Sequence, residues 1–465
     1  MMPTASINLQ PQQKQQPPQP PPQPPLAKAP LGEADSFRAW LVVAGSFCVQ
    51  FTTFGFLSSF GFLSFTIGEV FNADATLVSL VGTVQLGCMF LGGSLSSALS
   101  EVFGTRAVLA GGSAIWVFGI FAASGANTYW EMMLTLGVMC GIGTGSTYFT
   151  TLSVIPQWFV RGRGWAISLS TMAGGLGQMT WALGGTNLLT TQGWRNTLRI
   201  IGGIGVFLLL VGITLVERRF PHSGQRRSIL EFNLNLFRND RAYVLFGLGV
   251  FFYLLVLFTP FALLPLNAQV QGITDPNFGS ITIALLGVGT AVGRFFSGAV
   301  SDRIGRARHI QLNSFAASLC VWLWPTATTP QRLLTFSFFY GLFTAAVFTA
   351  MPLVIANQWG PMNVAVVFAV LMLVCLPAGT ASAPIVAAWY QDSGSFLGPQ
   401  LFSGAMMLLA CVSWCGIKDK PEGIPPQPAV ARSDTAKGPA TDFSSKPPHA
   451  QGAVSNGVVQ ELGTV

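Results

Sequence analysis

Twelve apolar runs, each long enough to cross a lipid bilayer, fill nearly all of the chain between residues 40 and 417. Hydrocarbon offers no hydrogen-bond partners, so a backbone there must satisfy its own N–H and C=O groups, and such runs form helices. A spanning helix needs about 20 mostly apolar residues. The runs fall at 40–67, 76–100, 107–126, 131–157, 163–189 and 196–216, then at 242–267, 277–300, 310–329, 332–357, 363–390 and 397–417. The predicted fold class is an all-α polytopic membrane protein with twelve transmembrane helices. Composition agrees: the chain is 51% hydrophobic and 9% charged, with a mean hydropathy of +0.54. Soluble globules carry about a quarter charged residues. A net charge of +7 brings nucleic acid to mind, but no soluble face is present to carry a basic patch, so no nucleic-acid partner is expected.

The runs are organised by a duplication. Ser100-Glu101-Val102-Phe103-Gly104-Thr105-Arg106 follows the second run, and Ser301-Asp302-Arg303-Ile304-Gly305-Arg306 follows the eighth, about two hundred residues later. Both place an acid, a glycine three residues on, and then arginine between two spans. This predicts two six-helix, pseudo-symmetric halves, residues 36–216 and 242–417, joined by a basic cytoplasmic linker, 217–241. Duplicated helical bundles of this kind are the architecture of secondary transporters. The Pro/Gln-rich stretch 1–35 and the Pro/Ser/Gly/Lys-rich stretch 418–465 bury too little apolar surface to order a chain and read as disordered cytoplasmic tails. The first lacks the basic, apolar and small-residue zones of a signal peptide. It could instead carry a partner-binding motif.

Orientation follows from the basic residues, because positive loops stay in the cytoplasm. With both ends inside, Arg38, Arg106, Arg161, Arg163, Arg218, Arg219, Arg238, Arg241, Arg303 and Arg306 all fall on the inner side, and only Arg195, Arg199 and Arg332 fall outside. The linker arginines can also meet anionic lipid, but a plain connector with basic flanks is the preferred reading. The seven cysteines all sit in apolar spans and read as packing residues. The glycines, among them Gly141, Gly143 and Gly145, recur at one-turn spacing inside spans and read as close helix contacts. No strand precedes them to make a dinucleotide loop.

The loop after the eighth run resembles the signature of the major facilitator superfamily, a glycine, an aspartate four residues on, and then glycine and arginine. Gly298, Asp302, Gly305 and Arg306 match it. The first copy departs, with Ser97 for the glycine and Glu101 for the aspartate. Within that superfamily the chain is similar to the monocarboxylate-porter branch, especially its fungal members, through Phe37-Arg38-Ala39-Trp40, Gly141-Ile142-Gly143-Thr144-Gly145 with Tyr148, and Gly293-Arg294. The resemblance implies alternating access around a central cavity. Animal members of the branch use a first-span lysine in substrate binding; counting from Trp40, that place is Ser58. The branch's acid four residues before the arginine is Thr290 here, so proton-coupled lactate transport does not carry over directly.

Ionisable groups deep in a bilayer are costly, and that makes them functional candidates. Arg294 alone is placed within a span; no carboxylate and no histidine is placed mid-membrane. Its planar guanidinium suits a substrate carboxylate, or it is structural and snorkels towards the inner surface. Ser58, Gln85, Tyr148, Gln178 and Tyr340 are polar or aromatic candidates for the same cavity, with interhelical hydrogen bonding as the alternative. Glu101, Gly104, Arg106, Arg161, Arg163, Asp302, Gly305 and Arg306 form a candidate latch whose charges pair in one access state and part in the other. Topology signals are the alternative.

No Ser/His/Asp set, metal cluster, phosphate loop or nucleotide-binding domain is legible, so neither an enzyme nor an ATP-driven pump is expected, and no cofactor. The functional expectation is a monomeric secondary or facilitative transporter of a small organic acid. Its partners would be that small-molecule substrate, membrane lipid and a coupling ion, with the proton as candidate. The alternative is efflux of an apolar secondary metabolite. A cell membrane is the expected location.

Overall fold

The computed structural model describes residues 32–160, 162–219, 229–271, 273 and 278–420, and every regular element among them is helical. In chain order these are α1 Phe37–Ser58, α2 Gly61–Phe71, α3 Ala75–Phe103, α4 Thr105–Ser124, α5 Tyr129–Met132 leading through a π-helical segment into α6 Cys140–Trp158, and α7 Arg163–Leu215. Then come α8 Ile229–Asn239, α9 Arg241–Leu257, α10 Thr259–Val270, α11 Phe278–Ile304, α12 Arg306–Leu323, α13 Pro330–Trp359, α14 Val364–Ser393 and α15 Leu397–Cys415. Nine helices among the described residues are long and apolar enough to span a membrane. This is three fewer than the twelve apolar runs: the runs at 163–189 and 196–216 share one helix, and neither the run at 131–157, part of it π-helical, nor α12 in the run at 310–329 is among the nine. The run at 40–67 is split between α1 and α2, and that at 242–267 between α9 and α10. The runs at 163–189 and 196–216 share α7, in which Gly193 adopts φ 72°, ψ 163° and breaks the helix at the predicted gap.

The repeated loops share a backbone conformation. Gly104 has φ 91°, ψ 151° and Gly305 has φ 95°, ψ 148°, a region open to glycine and strained for any residue with a Cβ. Each links one long helix directly to the next. The ends of α6 and α13 repeat a second pattern, Gln157-Trp158 and Gln358-Trp359. The Trp158 indole donates to the Glu217 carbonyl at 2.6 Å, and that of Trp359 to Asp240 at 2.8 Å.

Helices approach closely through glycine. A Cβ on Gly145 of α6 would stand 1.9 Å from the Met89 carbonyl oxygen of α3, and one on Gly293 of α11 would stand 2.1 Å from the Leu342 carbonyl oxygen of α13. Helix α7 lies along α11 from Gly164 against Gly298 at one end to the Thr186–Ser280 hydroxyl pair, 2.9 Å apart, at the other. Helix α3 meets α14, where Ser94 donates to the Ala369 carbonyl at 2.7 Å.

Three features add detail to the expected organisation. The 217–241 linker contains a helix, Ile229–Asn239, and Asn233 ties it to Tyr243 at 2.8 Å and to the Val366 carbonyl at 3.2 Å. Second, residues flanking the expected bundles also pack against them. Gly32 accepts from Arg219 at 3.1 Å, the Asp35 amide donates to the Trp158 carbonyl at 2.9 Å, and the Lys418 carbonyl accepts from Gln358 at 2.6 Å. Residues 1–31 and 421–465 lie outside the described residues. Third, α12 starts at Arg306, before the expected 310, and this draws His309 into the bundle. It is 2% exposed, with Nε2 2.8 Å from the Ser297 hydroxyl and Nδ1 3.2 Å from the Asn313 amide nitrogen.

Candidate functional site

Arg294 sits on α11 one turn beyond Thr290, held deep in the bundle because Gly293 lets α11 seat against the backbone of α13. It is 3% exposed. Its Nη1 donates to the Thr171 carbonyl of α7 at 2.8 Å, and the guanidinium carbon lies 4.8 Å from the centre of the Phe54 ring and 5.9 Å from that of Phe348. Cation–π attraction of this kind compensates part of the lost hydration. No carboxylate among the described residues pairs with Arg294, and its Nε has no hydrogen-bond partner. The place where the resembled branch carries an acid is occupied by Thr290, whose hydroxyl is also without a partner.

These groups border one cleft, lined by Phe54, Ser58, Gln178, Leu257, Phe258 and Phe261 together with Thr290, Arg294, Thr344, Ala345 and Phe348. Its free space in this conformation is about 20 Å³, room for a water-sized group, so a larger ligand enters only as the helices part. Gln178 donates its amide to the Ile283 carbonyl at 3.2 Å, which leaves Oε1 unbonded, and Ser58 Oγ is unbonded too. Buried polar atoms in proteins are almost always hydrogen-bonded. Four residues that line one aromatic-walled space from α1, α7 and α11, Ser58, Gln178, Thr290 and Arg294, each carry such an unpartnered atom. That arrangement can receive an anionic oxygen at Arg294 while hydroxyls and an amide oxygen orient the remainder of a ligand.

The sequence-predicted candidates divide. Ser58, Gln178 and Arg294 line the cleft, and Tyr148 stands behind it, stacked on Phe54 with centroids 4.8 Å apart. The Tyr148 hydroxyl approaches the Arg294 guanidinium closely enough to interact with its charge. Tyr340 does not line the cleft; its hydroxyl donates to the Leu257 carbonyl at 2.7 Å, capping the end of α9 where the helix breaks. Gln85, on α3 with both amide atoms unbonded, does not line the cleft. Phe54, Phe258, Phe261, Thr344 and Phe348 were missed, because an aromatic or threonine in an apolar span has no pattern that marks it as cavity-facing.

The latch candidates also separate. Asp302 is 3.9 Å from Arg306, and its carboxylate oxygens lie 2.8 and 2.9 Å from where a Cβ on Gly164 would stand. The acid thus packs against the first turn of α7, beside Arg163, which donates to the Phe159 carbonyl. Arg106 engages a residue not assigned to the latch: it is 3.4 Å from Glu217, which also pairs with Arg38, and it donates to the Thr214 carbonyl at 3.2 Å. The C-terminal end of α7 runs beside the start of α4, which makes Glu217 the acid within reach. Glu101 closes α3, its side chain outside the described residues, as is Arg161.

Comparison with known proteins gives the class. A family model described as Major Facilitator Superfamily matches residues 42–332, and the chain belongs to that superfamily. It is similar to MFS-type transporter pynF of Aspergillus niger, 28% identical over 82% of this chain and 90% of the relative. It is also similar to the aspyridones efflux protein apdF of Emericella nidulans, 27% identical over 82% and 78%, and to the agnestins efflux protein AgnL12 of Paecilomyces divaricatus, 26% identical over 81% and 86%. Among solved structures, the human organic anion transporter MFSD10 superposes with a TM-score of 0.67 at 15% identity, covering 81% of this chain and 98% of that one. The E. coli fucose:proton symporter FucP in its outward conformation gives 0.65 at 12% identity, covering 81% and 98%. These likenesses establish the fold, and the protein is a transporter rather than an enzyme.

Proposed function

We propose that this chain exports an apolar, acidic secondary metabolite by alternating access, with Arg294 receiving the acid. One observation carries the reading: a buried arginine with no acid partner among the described residues borders a cleft walled by Phe54, Phe258, Phe261 and Phe348. A charge removed from water without a partner costs several kcal/mol, and an anionic ligand would offset that cost. The aromatic walls favour a metabolite larger and less polar than a simple aliphatic acid, and relatives named as efflux proteins favour export over uptake. The likeness to monocarboxylate porters at Gly293-Arg294 is read as a shared anion site on an export scaffold.

In this reading the chain crosses a cell membrane twelve times as a monomer. The crossings are α1 with α2, α3, α4, α5 with α6, the two parts of α7, α9 with α10, and then α11 to α15. Both termini are cytoplasmic, and the halves 36–216 and 242–417 rock about the Arg294 cleft. Asp302 against Gly164 holds the inner ends of the two halves together, while the Arg38–Glu217–Arg106 cluster ties α1, α4 and the end of α7 within the first half. Ser58, Gln178 and Tyr148 support the cleft. The test is an untargeted comparison of intracellular and secreted metabolites in cells with and without the protein. One acidic apolar compound retained inside the deficient cells is expected; depletion of a small aliphatic acid instead would return the reading to organic-acid uptake.

A further inference from the structure

The cleft restricts the shape of its anion as well as its charge. Phe54 on α1 and Phe348 on α13 line it with rings 26° from parallel and centroids 6.2 Å apart. Tyr148 continues the group, 25° from parallel with Phe54. Arg294 stands beside both phenylalanine rings. Its Nη1 is committed to the Thr171 carbonyl, so the edge still open is the one that carries the unbonded Nε. An arginine edge presents parallel N–H groups in one plane, matched by two oxygens in one plane. The acceptor Oε1 of Gln178 and the hydroxyls of Ser58 and Thr290 are the remaining unbonded groups.

We propose that the cleft, as it opens, selects a flat, conjugated organic anion: a ring packed along the Phe54–Phe348 aromatic wall, with two coplanar oxygens, as in an aryl carboxylate or an enolised 1,3-dicarbonyl, on the Nε edge of Arg294. A hydroxyl or N–H beside the acid would meet Gln178 Oε1. A saturated acid of equal size keeps the charge but presents no face to the rings. The stack also joins α1 to α13, which belong to opposite sides of the duplication, so a flat ligand would draw the two together. This inference rests on the anion role given to Arg294 above.

The test uses the purified full chain and three probes of similar size: 2-naphthoate, decalin-2-carboxylate and 2-naphthamide. Packing along the two rings scales to roughly tenfold tighter binding of naphthoate than of the saturated acid. Phe348→Leu and Phe54→Leu should each cut that ratio severalfold, with the melting temperature and monodisperse fraction reporting that the variants are folded. Equal binding of the flat and saturated acids by the wild type, or an unchanged ratio in both variants, overturns the proposal. If naphthoate still exceeds naphthamide in that case, the anion role of Arg294 stands and only the planarity claim falls. If acid and amide bind alike, the anion role itself falls and takes this inference with it.

Discussion

Replacing Arg294 by lysine and by alanine separates a substrate-binding arginine from a structural one. Arg294 is 3% exposed, is anchored by one 2.8 Å bond to the Thr171 carbonyl, and has its Nε unbonded. Lysine keeps the charge but has neither the anchored planar fork nor an N–H at the Nε position. A hydrogen bond to a charged group contributes about 1.5–3 kcal/mol, and each 1.4 kcal/mol is tenfold in affinity. Arg294→Lys should therefore weaken binding of an acidic substrate by roughly ten- to a hundredfold, and Arg294→Ala by more. The corresponding amide, which cannot use the charge, should lose much less. The assay is equilibrium binding of acid and amide to wild type and both variants, each normalised to the monodisperse, folded fraction. The ratio of acid to amide affinity is the quantity of interest, since a general loosening of the α7–α11 contact would lower both alike. Proportional losses for acid and amide would refute the reasoning and leave Arg294 as a tie between α11 and α7.

Asp302→Asn should lower flux in reconstituted vesicles while leaving the folded yield intact, since Asp302 packs against Gly164 at the closed inner ends of α7 and α11; wild-type flux would remove the latch. Gly145→Ala, whose Cβ would stand 1.9 Å from the Met89 carbonyl oxygen, should destabilise by at least the 1–3 kcal/mol of an overpacked core, whereas Gly111→Ala, with nothing within 4 Å, should be neutral or slightly stabilising. Differential scanning of the two variants compares them directly. An aryl sulfonate, permanently charged, should cross without moving protons; stoichiometric proton movement would point to His309, and His309→Gln should then abolish it.

Helical architecture was legible because long apolar runs have no alternative backbone solution in lipid. The repeated loops were legible because each keeps an acid and, three residues on, a glycine, and the shared positive-φ conformation at Gly104 and Gly305 explains why glycine is needed there. Arg294 stood out because a charge inside an apolar run is costly wherever it points. Crossing count was harder to read. The runs at 163–189 and 196–216 merge into one helix broken only at Gly193, and two others are interrupted.

What only the tertiary structure decided is which face of each helix looks inward. In a soluble helix the polar and apolar sides differ, so the sequence reveals the buried stripe. Here lipid outside and packed core inside are both apolar, and that contrast is lost. Nothing in the residue types could therefore tell that Ser58, Gln178 and Thr290 line one cleft with Arg294 and carry unbonded polar atoms, while the Tyr340 hydroxyl is taken by the Leu257 carbonyl. Nor could it reveal that Arg106 finds Glu217, a hundred residues on, because that contact depends on where the end of α7 meets the start of α4. Sequence alone determined the membrane-spanning helices, the repeated loops and the buried charge; the three-dimensional packing decided how that charge is surrounded, and so what it can bind.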